Sequence, residues 1–226
     1  MIHLLGVDFR YPKSDFHLAF EEISVELGSA AALIGPSGCG KSTLLNLIAG
    51  ILTPSSGTIT VNETDLQPLS DSQRRLFRLQ NIGFVFQDFA LIEYLNVLDN
   101  ILHPWRINSA LPLSTENRER ARTLADQLGL SQKLHRHPSH LSQGEQQRAA
   151  ICRALAPKPS VIVADEPTGN LDPSNKQAIV DILLDYIRSE RATLVLATHD
   201  HELLPAFDQI IDFAKLLPTP STSLAS

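Results

Sequence analysis

Apolar residues along this chain come in two textures. Ala30–Ile34, Val161–Ala164 and Thr193–Ala197 are short unbroken apolar runs, which suit strands buried on both faces. Residues 2–9 and 18–27 carry β-type residues around a polar break, Tyr11 to Asp15, and predict two strands and a turn. Gly57–Val61 and Ile82–Phe86 read as further strands, the second stopping at Gln87. Helices are predicted over Leu44–Ala49, Ser70–Leu79 and Ser174–Arg188. From residue 88 to about 157 the strand signals vanish. Asn96–His103, Glu116–Leu128 and Gln143–Ala156 read as helices, with a proline-bearing loop over Asn108–Ser114 and a stop at Pro157. Buried strands alternating with helices predict an α/β fold with a parallel sheet, interrupted by a helical insertion.

Composition narrows the class. The chain has 226 residues, 43% of them hydrophobic, enough for a substantial core. A net charge of −6 argues against broad nucleic-acid binding, which needs a basic face. Two cysteines, Cys39 and Cys152, do not make a disulfide scaffold and suit a reducing compartment. Met1–Leu5 lacks the pattern of a signal peptide. No apolar run approaches a membrane span, so work at a membrane implies a peripheral subunit.

The chemistry centres on Gly35-Pro36-Ser37-Gly38-Cys39-Gly40-Lys41-Ser42-Thr43, between a buried strand and a helix. Strand, glycine loop, helix is the context in which this spacing means a phosphate cradle. Glycines let backbone N–H groups turn inward, and the helix aims its positive end at the same anion. Lys41 reaches the terminal phosphates and Ser42 offers a hydroxyl to Mg²⁺. By chance the spacing arises in about 1% of chains this long, before the flanks are counted.

Val161–Ala164 runs into Asp165 and Glu166. Sheets of this class place ligand chemistry at such strand ends. Asp165 would hold Mg²⁺, and Glu166 would polarise the attacking water. Ser142 and Glu145 have capping-box spacing, so a helix starts there, and Gly144 allows a second phosphate to approach its N-terminus. An ordinary capped helix is the plainer alternative.

Gly35–Thr43, Gln87, Leu141–Arg148, Asp165-Glu166, Gly169-Asn170-Leu171-Asp172 and His199 stand in an order that resembles the nucleotide-binding subunit of ATP-binding cassette (ABC) transporters. The resemblance runs from about Met1 to Asp212. It implies a P-loop NTPase core over residues 1–87 and 158–217, with an antiparallel β subdomain. A helical subdomain would occupy 88–157; the tail, 218–226, is Pro/Ser/Thr-rich and by composition is expected to be disordered. It implies ATP and Mg²⁺ as cofactors, and a homodimer with ATP between the phosphate loop of one copy and Ser142 to Gly144 of the other. Tyr11 would stack on adenine, Gln87 would contact Mg²⁺ and water, Asp172 would lie in the loop crossing the dimer, and His199 would contact the γ-phosphate. An integral membrane permease is the implied partner, with no nucleic acid, and the implied location is the cytoplasmic face of the membrane.

The stretches Phe84–Leu91, Leu95–Asn100, Gly144–Arg148 and Ala164–Asp172 resemble the lipoprotein-release and macrolide-efflux branch. Phe86, Phe89, Leu91 and Tyr94 are expected to form a groove for a partner's short helix. The usual second glycine of the signature is Gln143, and its final glutamine is Glu145. Residues 210–215 lack the usual Asp-Gly turn, so the last strand is expected to be short or altered. His135, His137 and His140 lack a fourth ligand for a metal site. Rival functions are a non-transport ABC ATPase acting on nucleic acid or ribosomes, which usually carries a coiled coil or two cassettes, and a nucleotide-binding scaffold without turnover.

Overall fold

The computed structural model describes residues 1–108, 111–169 and 173–216. In chain order it has strands β1 (Ile2–Arg10), β2 (His17–Val25) and β3 (Ala30–Ile34), then helix α1 (Lys41–Ile48). Next come β4 (Ser56–Val61), β5 (Thr64–Asp65), α2 (Asp71–Asn81) and β6 (Ile82–Val85). Three helices follow: α3 (Val97–Arg106), α4 (Thr115–Gln127) and α5 (Gln143–Leu155). The chain then runs through β7 (Val161–Asp165), α6 (Pro173–Glu190), β8 (Thr193–Ala197), β9 (Gln209–Asp212) and α7 (Phe213–Leu216).

Two sheets result. One is antiparallel, in the order β2-β1-β4-β5; the other is parallel, in the order β6-β7-β8-β3-β9. The unbroken apolar runs are the central parallel strands, and their residues alternate between two cores. Ala32, Ile162, Ala164, Leu194 and Leu196 face the helices α3 to α6. Ala31, Leu33, Val161, Val163 and Val195 face α1 and the antiparallel sheet. Burial on both faces forces both parities to be apolar, which is why these strands show no alternation. On α1, Leu44, Leu45, Leu47 and Ile48 are fully buried; truncating one to alanine would cost about 2–5 kcal/mol. That packing fixes where the helix N-terminus points.

The antiparallel sheet bends at a bulge. Its β1–β4 register shifts between Leu5 and Asp8. Gly57 sits there at φ 92°, and a Cβ on it would lie 2.4 Å from the Gly6 carbonyl oxygen. Only glycine fits so close a backbone approach.

Helix starts follow their caps. Ser70 with Gln73 and Ser142 with Glu145 both close as capping boxes, and Asn96 and Ser114 cap α3 and α4. Two expectations need correction. Helix α3 does not stop at His103 but continues through Pro104 to Arg106. Proline removes one helical bond there, and Ile107 N–H still closes the last turn on His103 O at 3.3 Å. The last strand is short, as expected, but the apolar residues beyond it are helical. Asp212 Oδ1 accepts from Ala214 N–H at 3.1 Å and starts α7, which turns the fully buried Phe213 beneath the phosphate loop.

Candidate active site

Parallel pairing levels the strand ends. Leu33 and Asp165 both sit opposite Ala197, and Val85 opposite Ala164. Four chain segments therefore leave one edge of the sheet together: residues 35–40 after β3, Gln87 after β6, Asp165-Glu166 at β7, and His199 after β8. Their side chains share a cavity of about 540 Å³ with Gly35, Ser37, Gly38, Gly40, Lys41, Ser42 and Thr43. Residues spread over more than 160 positions meet because the fold is parallel.

The loop is shaped for an anion. Gly40 is the N-cap of α1 at φ 110°, and no side chain caps that terminus. A Cβ on Gly40 would lie 2.9 Å from the ring of Phe16, and one on Gly35 would lie 3.0 Å from Cβ of Phe213. Two aromatic rings thus back the loop, and its free N–H groups form the positive end of α1. Lys41 is 8% exposed. Its Nζ donates to the Gly35 carbonyl at 2.7 Å and to the Pro36 carbonyl at 3.1 Å, and no carboxylate among the described residues pairs with it. A desolvated ammonium held only by carbonyls favours a highly charged anion, so the cradle fits a triphosphate.

The oxygen donors beside it, Ser42, Gln87 and Asp165, are hard ligands suited to Mg²⁺ bound jointly with phosphates. Among the described residues, no three His, Cys, Asp or Glu side chains cluster as a metal site, so the histidines at 135, 137 and 140 form none.

Glu166 lies one residue beyond Asp165, at φ 44°. A non-glycine residue there carries strain of about 1–3 kcal/mol. The backbone is over-determined: Glu166 N–H donates to Ala197 O at 3.0 Å, and Gly169 N–H donates to Glu166 O at 3.1 Å. The carboxylate is 13% exposed, and its Oε2 lies 2.8 Å from His199 Nδ1, whose ring is 67% exposed. That is an ion-pair distance without hydrogen-bond alignment. Lys176 pairs with Asp200 at 2.9 Å beside His199, an ion pair that holds the Lys176 pKa up and the Asp200 pKa down.

Residues 21–169 match the family model described as ABC transporter. The chain belongs to the ABC transporter ATPases. It is 42% identical over 198 residues to the lipoprotein-releasing system ATP-binding protein LolD of Maricaulis maris, covering 88% of this chain and 86% of that one. It is 41% identical over 190 residues to the uncharacterized ABC transporter ATP-binding protein YbbA of Escherichia coli K12, covering 84% and 82%. Among solved structures it resembles the dimeric post-hydrolysis state of the ATP-binding cassette MJ0796 bound to ADP and Pi. There the TM-score is 0.85 at 32% identity, covering 94% of each chain. The fold is therefore that of an ABC ATPase, the chain binds ATP, and its activity is transport-coupled ATP hydrolysis. Proteins of this family dimerise and work with membrane partners. No helix among the described residues is long and apolar enough to cross a membrane.

Several expected site residues lie outside the cavity of this ABC ATPase. Tyr11 is half-buried, packed edge-on against Phe9 and tilted against Phe16, with its hydroxyl 3.2 Å from Thr43 Oγ1. Phe16, which the sequence did not single out, lines the cavity instead. Pro36 and Cys39 do not line the cavity: the Pro36 carbonyl accepts from Lys41, and the Cys39 side chain packs against the core. Cys152 is buried, which pushes its thiol up to about 12. Ser142 and Gly144 are not brought to the phosphate loop within one copy. Asn170, Leu171 and Asp172 lie outside the described residues.

A second cavity, about 640 Å³, opens between α2, β6, α3 and α5. Phe84 and Phe86 stack in its wall at 4.1 Å, beside Ile92, Ile107, Arg75, Arg78, His103 and Arg153. Burial lowers the pKa of Arg78, and burial followed by the charges of Arg153 and Arg106 lowers that of His103. Of the four residues expected to form a partner groove, only Phe86 lines this one. Leu91 packs against the helical core, and Tyr94 stands 80% exposed. The segment from Ile92 to Asn96 is pinned by Asn100, a buried amide that accepts from Ile92 N–H at 2.8 Å and donates to the carbonyls of Ile92, Leu95 and Asn96. Pattern reading misses it, because a polar residue on a helix face reads as solvated.

Proposed function

We propose that two copies of this chain close around MgATP, hydrolyse it, and drive a separate permease of the lipoprotein-release type from the inner face of the cell membrane. The observation that carries the reading is the shared cavity of Lys41, Ser42, Gln87, Asp165, Glu166 and His199. Names among the relatives support the lipoprotein-release branch. In this reading residues 88–157 form a helical lobe on the nucleotide-binding core.

Lys41 and the loop N–H groups bind the β- and γ-phosphates. Ser42, Asp165 and Gln87 would hold Mg²⁺, which would neutralise charge on the phosphates. Glu166 orients and accepts a proton from the attacking water. His199, freed from Glu166, contacts the γ-phosphate. Ser142 and Gly144 reach the nucleotide of the other copy, as does the loop of Asp172. An aromatic side chain at residue 11 or 16 stacks on the base; loss of ATP affinity in Tyr11→Ala alone, or in Phe16→Ala alone, distinguishes them, since such stacking is worth about 1–3 kcal/mol. The permease's short helix enters the Phe84–Phe86 groove.

Glu166→Gln tests the chemistry. It is expected to bind ATP normally and to lose about 10²–10⁴ in turnover; near-normal turnover would assign the base elsewhere. Affinity purification from solubilised membranes tests the partner: an integral membrane permease should co-purify, and recovery with nucleic acid in its place would overturn the transport reading.

A further inference from the structure

Beyond Gln87 the chain makes an unfavourable turn. Phe89 and Ala90 are consecutive non-glycine residues at φ 63° and 46°, a region that L side chains disfavour. The turn's own bonds are Phe89 N–H to Phe86 O at 3.1 Å and Ala90 N–H to Asp88 O at 2.7 Å. What clamps it comes from a distant helix. Arg153, in the last turn of α5, donates from Nη2 to Phe89 O at 2.8 Å and from Nη1 to Ala90 O at 2.5 Å. One planar guanidinium spans two successive carbonyls, a geometry that a lysine cannot reproduce.

Arg153 has no carboxylate within ion-pair distance among the described residues. Burial lowers its pKa, opposed by the charge of Asp88. A half-buried cation is thus committed to the backbone of the left-handed turn. The helix that carries it begins at the Ser142 cap. From Gln143 to Arg153 is about 15 Å along a rigid rod. One end of α5 bears the proposed contact to the partner's nucleotide, and the other grips the loop that sets Gln87 in its own cavity.

We propose that Arg153 is a positioning residue for ATP hydrolysis: through the Phe89 and Ala90 carbonyls it holds Gln87 in the phosphate cavity and ties that placement to α5. The latch does not touch nucleotide; it acts only through Gln87. It rests on the assignment of Gln87 to the reaction.

The test is a kinetic cycle on the full chain, with kcat, KM and melting temperature measured for wild type, Arg153→Ala, Gln87→Ala and the double variant. Arg153→Ala is expected to lower kcat about tenfold, with KM changed less than about twofold. Once Gln87 is removed, adding Arg153→Ala should cost less than about a further twofold. Ala90→Gly should leave the wild-type chain near full activity and restore Arg153→Ala at least about threefold, because glycine accepts the left-handed turn unaided. A merely structural arginine would lower the melting temperature without this dependence on Gln87 or rescue by glycine. Multiplying losses in the double variant, undiminished turnover in Arg153→Ala, or failure of Ala90→Gly to restore it would overturn the latch. If Arg153→Ala does not fold, Arg153→Lys takes its place in the cycle with the same outcomes. Full turnover in Gln87→Ala would remove Gln87 from the reaction and the latch with it, whereas multiplying losses would remove the latch alone.

Discussion

Two helix N-termini in this protein are built in opposite ways. Helix α1 starts at Gly40, with no side chain on its free N–H groups. Helix α5 starts at Ser142 with both halves of a capping box closed. Ser142 Oγ accepts from Glu145 N–H at 3.3 Å, and Ser142 N–H donates to Glu145 Oε2 at 2.8 Å. Lys133 Nζ sits 3.0 Å from the other oxygen of Glu145. The first terminus is an open anion site. The second already holds an anion of its own, neutralised by a lysine. Under the proposed function the two half-sites are ready at different times: α1 would bind nucleotide as a single copy, and α5 would meet a phosphate only when the dimer closes and its cap gives way.

The largest effect belongs to the open terminus. Lys41→Ala removes the buried cation proposed to bind the phosphates. Unpairing charges of this kind costs about 3–5 kcal/mol, so ATP affinity should fall about 10²–10⁴-fold, as read by equilibrium binding to the single copy. Unchanged affinity would mean that α1 is not the ready half.

A smaller effect belongs to the closed terminus. Glu145→Gln keeps the cap's hydrogen bond and removes its charge. Less repulsion of the incoming phosphate should strengthen ATP-dependent dimerisation about threefold to tenfold, while ATP binding to one copy stays the same. Weaker dimerisation would show that Glu145 assists closure.

The smallest effect is on stability. The Ser142 backbone N–H, then Lys133, hold the Glu145 carboxyl below its ordinary value of 4.5. A lowered folded-state pKa stabilises above the ordinary value, and that contribution is lost as pH falls below it. The melting-temperature advantage of wild type over Glu145→Ala should therefore shrink in acid below about pH 4.5. An advantage that persists there would assign the stabilisation to contacts other than the ionised carboxylate.

The same contrast explains what the sequence could reveal. β3, β7 and β8 were legible because burial on both faces leaves an unbroken apolar run. The open loop was legible because its chemistry requires a local spacing, and the Ser142–Glu145 cap because it is a local pair. The clamp of Phe16 and Phe213 behind the loop was not, since the two lie almost two hundred positions apart and each alone reads as ordinary core. Arg153 was not, because its partners are backbone carbonyls that carry no sequence signature. Strand β5 is too short to leave a pattern, and Phe213–Leu216 resembles the end of a strand until Asp212 turns it. The proposed composite site was legible only as two halves, because Ser142 and Gly144 do not line the phosphate-loop cavity of a single copy.

Its most direct test is the mass of the nucleotide-bound particle. Glu166→Gln, expected to trap bound ATP, is compared with Glu166→Gln plus Ser142→Arg by light scattering after size exclusion in MgATP. A dimer is expected for the first and a single copy for the second, with equal ATP affinity when both are measured at dilutions where each is a single copy. A dimer that survives Ser142→Arg, or ATP affinity that falls with it in the single copy, would contradict a site shared between the open terminus of one copy and the capped terminus of the other.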